Sequence, residues 1–229
     1  MKKIIPMFVC LLLHVFFLSP LKADQPKALL QEANRYVSQK DYENAIKGFE
    51  SILKQFPESD EAKQTCQILP VCYAAVDLSN KIEAIYLYGI THFPSDKTYV
   101  IGLEQSLADF YIKQKKYQEA IEHYTSALNK NPDCKTAVIL ADKIVSAYTA
   151  TGNYKKAGET LEFLLNVYPK LSDEYAADTL TQPYHRNRIQ VDKNYFIART
   201  LNRIALFYQQ ANQQDTSIGI YQTILEQYP

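Results

Sequence analysis

Arg199 and Arg203 stand four residues apart, so on a helix both guanidinium groups share one face and could grip a carboxylate through two charge-assisted forks. Each fork would contribute roughly 1.5–3 kcal/mol if partly shielded from water. A solvated basic face is the plainer reading of the same pair. Elsewhere the chemically capable residues are scattered. His92, His123 and His185 lie far apart and read as helix-surface or partly buried residues, and no HExxH, glycine-rich phosphate loop or GxSxG segment occurs. Of the four cysteines, Cys10 falls in the apolar run near the amino terminus that reads as a leader. Without it Cys66, Cys72 and Cys134 form an odd set without CxxC spacing, which indicates neither a disulfide framework nor a zinc site and leaves one pair plus one free thiol open. No catalytic residue, metal or cofactor is expected, and the chain reads as a binding protein instead of an enzyme.

The elements that would carry these residues repeat along the chain. Tyr42-Glu43-Asn44-Ala45-Ile46, Tyr117-Gln118-Glu119-Ala120-Ile121 and Tyr154-Lys155-Lys156-Ala157 share their neighbours. A bulky apolar residue follows at helical spacing (Phe49, Tyr124, Leu161), then another apolar one (Ile52, Ala127, Leu164), and a proline closes each unit at Pro57, Pro132 or Pro169. Ala120 to Ala157 and Pro132 to Pro169 both give a period of 37. Glu58-Ser59-Asp60, Ser95-Asp96 and Asp133 are placed to cap the helices that follow. Twelve residues before each key position stands another small or slim residue: Ala33 before Ala45, Cys72 before Ala84, Ala108 before Ala120, Val145 before Ala157, Ala205 before Ser217. Two antiparallel helices can approach closely at such pairs, which gives Cys72 a packing role.

These positions resemble the tetratricopeptide-repeat (TPR) family, with Tyr36, Tyr111, Tyr148 and Tyr208 in its first aromatic slot. The resemblance implies an all-α, right-handed superhelical solenoid of about five helix-turn-helix repeats, over 26–57, 65–94, 101–132, 138–169 and 198–229. The second unit departs: counted from Ala84, its proline Pro94 comes two residues early, Ala75 fills the aromatic slot, and Pro70 falls inside the first helix, where a kink or shortened turn is expected. Residues 170–197 form an insert, with a short helix around Asp173 to Leu180, a loop through Gln182-Pro183, and the fifth unit's first helix starting near Asp192. In the family, first helices line a concave groove that holds a peptide. The implied groove residues are Asn34, Gln105, Asp109, Lys113, Asp142, Lys143, Ser146, Arg199, Asn202, Arg203, Gln209 and Gln210. Leu30 stands where a carboxylate-clamp member would carry lysine, so that full clamp is absent.

Residues 1–23 read as an export leader: Lys2 and Lys3 precede an apolar run from Ile4 to Leu18 that ends in Ser19-Pro20-Leu21-Lys22-Ala23. The run is shorter than the roughly 20 residues of a spanning helix. Cleavage after Ala23 is expected, with an uncleaved anchor as the alternative. It would remove three of 25 basic residues, leaving 22 against 25 acidic ones, a balance that gives no drive toward nucleic acid or anionic lipid. Expected partners are therefore other proteins, bound as extended or helical segments in an envelope or periplasmic complex. The last helix offers self-association through Ile218, Ile220, Tyr221, Ile224 and Leu225. The alternative function is the accessory repeat region of a longer envelope enzyme.

Overall fold

The computed structural model describes residues 24–130, 134–167 and 193–228, so the leader, Pro132, Asp133, Pro169 and the expected helix and loop at 173–183 lie outside the described residues. Among the described residues every regular element is helical. α1 covers 24–38; α2 is Tyr42–Gln55, α3 Asp60–Ala75, α4 Ile82–His92, α5 Lys97–Lys113, α6 Tyr117–Lys130, α7 Cys134–Ala150, α8 Tyr154–Val167, α9 Lys193–Gln210 and α10 Gln214–Gln227. The chain divides after Ser95 into two compact bodies, α1–α4 and α5–α10, and within each body helices adjacent in sequence pack on one another.

Each helix pair turns in the same way. Lys40, Asp77, Lys115, Gly152 and Asn212 adopt positive φ, between 58° and 72°. The next residue's amide then donates back to a tyrosine carbonyl: Asp41 to Tyr36 (2.9 Å), Leu78 to Tyr73 (2.8 Å), Lys116 to Tyr111 (3.0 Å), Asn153 to Tyr148 (2.8 Å) and Gln213 to Tyr208 (2.8 Å). This left-handed closure satisfies a carbonyl that the helix end leaves open. Side chains of Ser59 and Asp96 cap α3 and α5 as expected, accepting from the amides of Ala62 and Tyr99 at 3.1 Å each.

The small-residue pairs are buried in four of the five units: Ala33 and Ala45, Ala108 and Ala120, Val145 and Ala157, Ala205 and Ser217. A Cβ added at Gly48 would lie 3.0 Å from the Ala33 Cβ, a measure of how closely α1 and α2 approach. The second unit corrects the expectation. Ala84 is exposed, whereas Ile82 and Tyr73 are buried and Asp77 takes the left-handed position. Its frame therefore runs from Pro94, two residues away from the Ala84 count, and Tyr73, not Ala75, fills the aromatic slot. Pro70 is accommodated inside an uninterrupted α3, and the shortening falls on α4 instead. A 3₁₀ turn at Ser79–Lys81 precedes that eleven-residue helix, so the two together fill the fourteen residues that α2 and α6 each span. Cys66 and Cys72 are both buried thiols, and burial pushes the Cys72 thiol pKa up, in keeping with packing.

At the other end, the apolar residues of α10 divide. Ile220 packs against the cluster of Val145, Ala157, Leu161, Ile204 and Tyr208, while Ile218 and Leu225 stay exposed. Ile220 is thus part of the core instead of the uncovered face expected of it.

Candidate functional site

α5 and α7 are the first helices of successive repeats, and both pack on α6 between them. A cleft of about 440 Å³ opens there, lined by Asp109 and Ile112 of α5, Tyr124 of α6, and Ile139, Asp142, Lys143 and Ser146 of α7. Its size falls within the few hundred Å³ typical of ligand sites. Ile112 is half-buried and Ile139 is 53% exposed.

The charges around this cleft are paired across helices. Lys143 Nζ lies 2.8 Å from Asp109 Oδ2 and 5.4 Å from the centre of the Tyr124 ring. The Tyr124 hydroxyl donates to the same Asp109 carboxylate. Burial, that hydrogen bond and the Asp109 charge all push the Tyr124 pKa up, so the hydroxyl remains a donor. One repeat further on, Arg203 of α9 reaches Asp142 of α7 at 2.8 Å. A smaller cavity of about 90 Å³ shares Asp142 and is walled by Val138, Leu161, Leu164, Phe196, Arg199, Thr200 and Arg203.

Beside the cleft, α5 is fixed to α6 by Glu104, which is 4% exposed. His123 Nδ1 (2.6 Å), Lys130 Nζ (2.8 Å) and Ser126 Oγ (2.9 Å) surround its carboxylate. Burial pushes the carboxyl pKa up, yet hydrogen bonds from His123, Lys130 and Ser126, with the Lys130 charge, outweigh it and hold the group at about 2.

Of the residues expected in a groove, Asp109, Asp142, Lys143 and Ser146 converge on the larger cleft, and Arg199 and Arg203 on the smaller cavity. The Ser146 hydroxyl donates to the Asp142 carbonyl at 2.8 Å. Gln105, Lys113, Asn202, Gln209 and Gln210 line neither cavity, and Asn34 is exposed on α1 in the amino-terminal body. A carboxylate grip by Arg199 and Arg203, the less plain of the two readings of that pair, meets a built-in competitor, because Arg203 already holds Asp142.

Ile112, Tyr124 and Ile139 were not expected in the lining. Counted from the small residues Ala108 and Val145, Ile112 and Ile139 occupy groove positions, so the signal was present. A further cleft of about 300 Å³ between α6, α7 and α8 was also unforeseen; its lining includes Leu128, Tyr148, Lys156 and the 43%-exposed Phe163. The corrected frame adds Gln64, Gln67, Ile68, Val71, Ala74 and Ala75 of α3 as the equivalent face in the amino-terminal body.

Profiles of the tetratricopeptide repeat match residues 111–182 and, separately, 27–59 and 201–229, together more than half of the chain. The chain belongs to the tetratricopeptide-repeat family. Among solved structures, the TPR chain is similar to a MamA protein, at 17% identity and a TM-score of 0.50, over 89% of this chain and 92% of that one. It is also similar to a Podospora anserina putative kinesin light chain with nearly identical TPR-like repeats, at 14% identity and a TM-score of 0.50, over 90% and 98% of the two chains. Such identities speak to the fold alone. No curated protein matches the sequence. The fold is an all-α TPR solenoid, as expected, and TPR membership makes the chain a protein-interaction scaffold at the coarse level.

Proposed function

We propose that this TPR protein is an exported, non-catalytic scaffold that holds an extended or helical segment of another protein between α5 and α7, within a periplasmic or envelope complex. The observation that carries the reading is the 440 Å³ cleft, because it brings residues from three helices of two repeats around one opening with an exposed isoleucine in its wall. Export rests on the leader pattern of residues 1–23. The protein would be captured with its partner from the envelope fraction of its source, in parallel with an Ile139→Glu variant of unchanged helix content. Loss of the partner from the variant supports the cleft, and equal recovery contradicts it. Chemical sequencing of the purified protein should begin at Asp24; an intact leader on membrane-bound protein would favour the anchored form.

Self-association through α10 is a second reading, favoured by the exposure of Ile218 (54%) and Leu225 (75%). Sedimentation across a concentration series should then show dimers. A strictly monomeric protein would remove it.

A further inference from the structure

We infer that the segment held between α5 and α7 is apolar and uncharged where it meets the cleft, and that the charges around the cleft act between repeats instead of on the ligand. The inference rests on the proposed groove binding and adds the chemical class of the occupant. Asp109 is held by Lys143 at 2.8 Å and by the Tyr124 hydroxyl. Asp142 is held by Arg203 at 2.8 Å. Two acids thus meet two cations, each pair joining a first helix to the first helix of the next repeat. A carboxylate on a partner would have to displace Asp109 from Lys143 or Asp142 from Arg203, and a tethered competitor acts at an effective concentration near the millimolar range or above. A partner cation faces the same competition from Lys143 and Arg203.

The apolar wall left open is the half-buried Ile112 and the 53%-exposed Ile139, while Tyr124 is 2% exposed and the Ser146 hydroxyl is spent on the Asp142 carbonyl. The smaller cavity shares Asp142 with the cleft and has Val138 and Phe196 in its wall. Arg199, exposed at that cavity's edge, is the lining cation that forms no ion pair among the described residues. It is therefore the residue on which an anionic ligand would depend. A bulky apolar side chain in the larger cleft gains burial without breaking a pair, and its binding changes little with salt, since screening acts on exposed charges.

The full chain would be used to select binders from a displayed library of random peptides, and a synthetic peptide of the enriched class titrated against wild type, Ile139→Asn and Arg199→Glu. The expected peptides are apolar and uncharged at their shared positions. Their Kd changes less than about two-fold between low and high salt. Ile139→Asn weakens them about ten-fold through lost apolar burial, and Arg199→Glu leaves them unchanged. Acidic peptides that are released by salt and lost in Arg199→Glu would overturn this inference while leaving the groove reading in place. Peptides held equally by all three proteins, or no enrichment at all, would overturn both.

Discussion

Helix α3 in the amino-terminal body and helices α5 and α7 in the carboxy-terminal body hold the same place in their repeats and face outward with different chemistry. α3 presents Gln64, Gln67, Val71, Ala74 and Ala75, none of them charged, whereas α5 and α7 carry Asp109, Lys113, Asp142 and Lys143. Both bodies nevertheless contain the same set of an acid, a tyrosine and a lysine. In the first, Glu50 of α2 accepts from Tyr73 at 2.7 Å and Lys81 at 3.1 Å; in the second, Asp109 of α5 accepts from Tyr124 and Lys143. The set ties repeats together in each case, but in one body its acid stands on a second helix and in the other on a first helix. Charge along a row of first helices therefore does not by itself mark ligand contact. Whether the acid is tied across the repeat decides that.

The comparison breaks first if the two cores differ. Phe49 and Leu140 are both 0% exposed, one in each body, and truncating either to alanine should cost about 3–5 kcal/mol in denaturant unfolding. A cost near zero at either site would mean that its body is not packed as described.

Next in size is the contrast between Glu104 and Glu50. Glu104→Gln removes a buried carboxylate with three donors and should cost about 2 kcal/mol near neutral pH. Glu50→Gln should cost less than about 1 kcal/mol, because the Glu50 side chain is 44% exposed. The Glu104 carboxyl sits at about 2 in the folded protein against an ordinary 4.5, so its contribution is fully present above the higher value. It is lost as pH falls toward the lower one. The gap in melting temperature between wild type and Glu104→Gln should therefore close on acidification across that window, and a constant gap would contradict the assignment.

A smaller effect sharpens the claim that cleft charges tie repeats. A double-mutant cycle on Asp142→Asn and Arg203→Gln should give a coupling of about 0.5–1 kcal/mol, since both side chains are partly exposed. Zero coupling would return Arg203 to the pool of ligand contacts. Smallest of all are the turns. Gly152→Ala should destabilise and Asp77→Gly stabilise by up to about 1 kcal/mol, because both residues sit at positive φ. If Asp77→Gly destabilised instead, the corrected frame of the second unit would lose its support.

The repeats were legible because close helix contact demands slim residues, and proline and tyrosine mark the unit's end and its turn. Ala33, Ala108, Val145 and Ala205 kept that code. The second unit misled because Cys72 and Ala84 copy the twelve-residue spacing while Pro70 and Ile82, bulkier residues, occupy the true positions; what fixes the frame is a backbone bond from Leu78 to Tyr73 that composition does not display. In the cleft, the polar positions Asp109, Asp142 and Ser146 followed from the repeat frame. Their pairing did not, since Asp109 meets Lys143 across 34 residues and Asp142 meets Arg203 across 61. Ile112 and Ile139 shared that frame but were not among the groove residues named, and nothing in an apolar side chain on a helix sets a lining position apart from a core one.

Placing a photoreactive amino acid at position 139 in the cleft, with a control at the exposed position 122 on α6, and irradiating the protein in its source cells tests the binding surface most directly. A partner adduct formed from position 139 and absent from position 122 is the predicted result. Adducts from position 122 without any from position 139 would contradict the cleft as the place where this scaffold holds its partner.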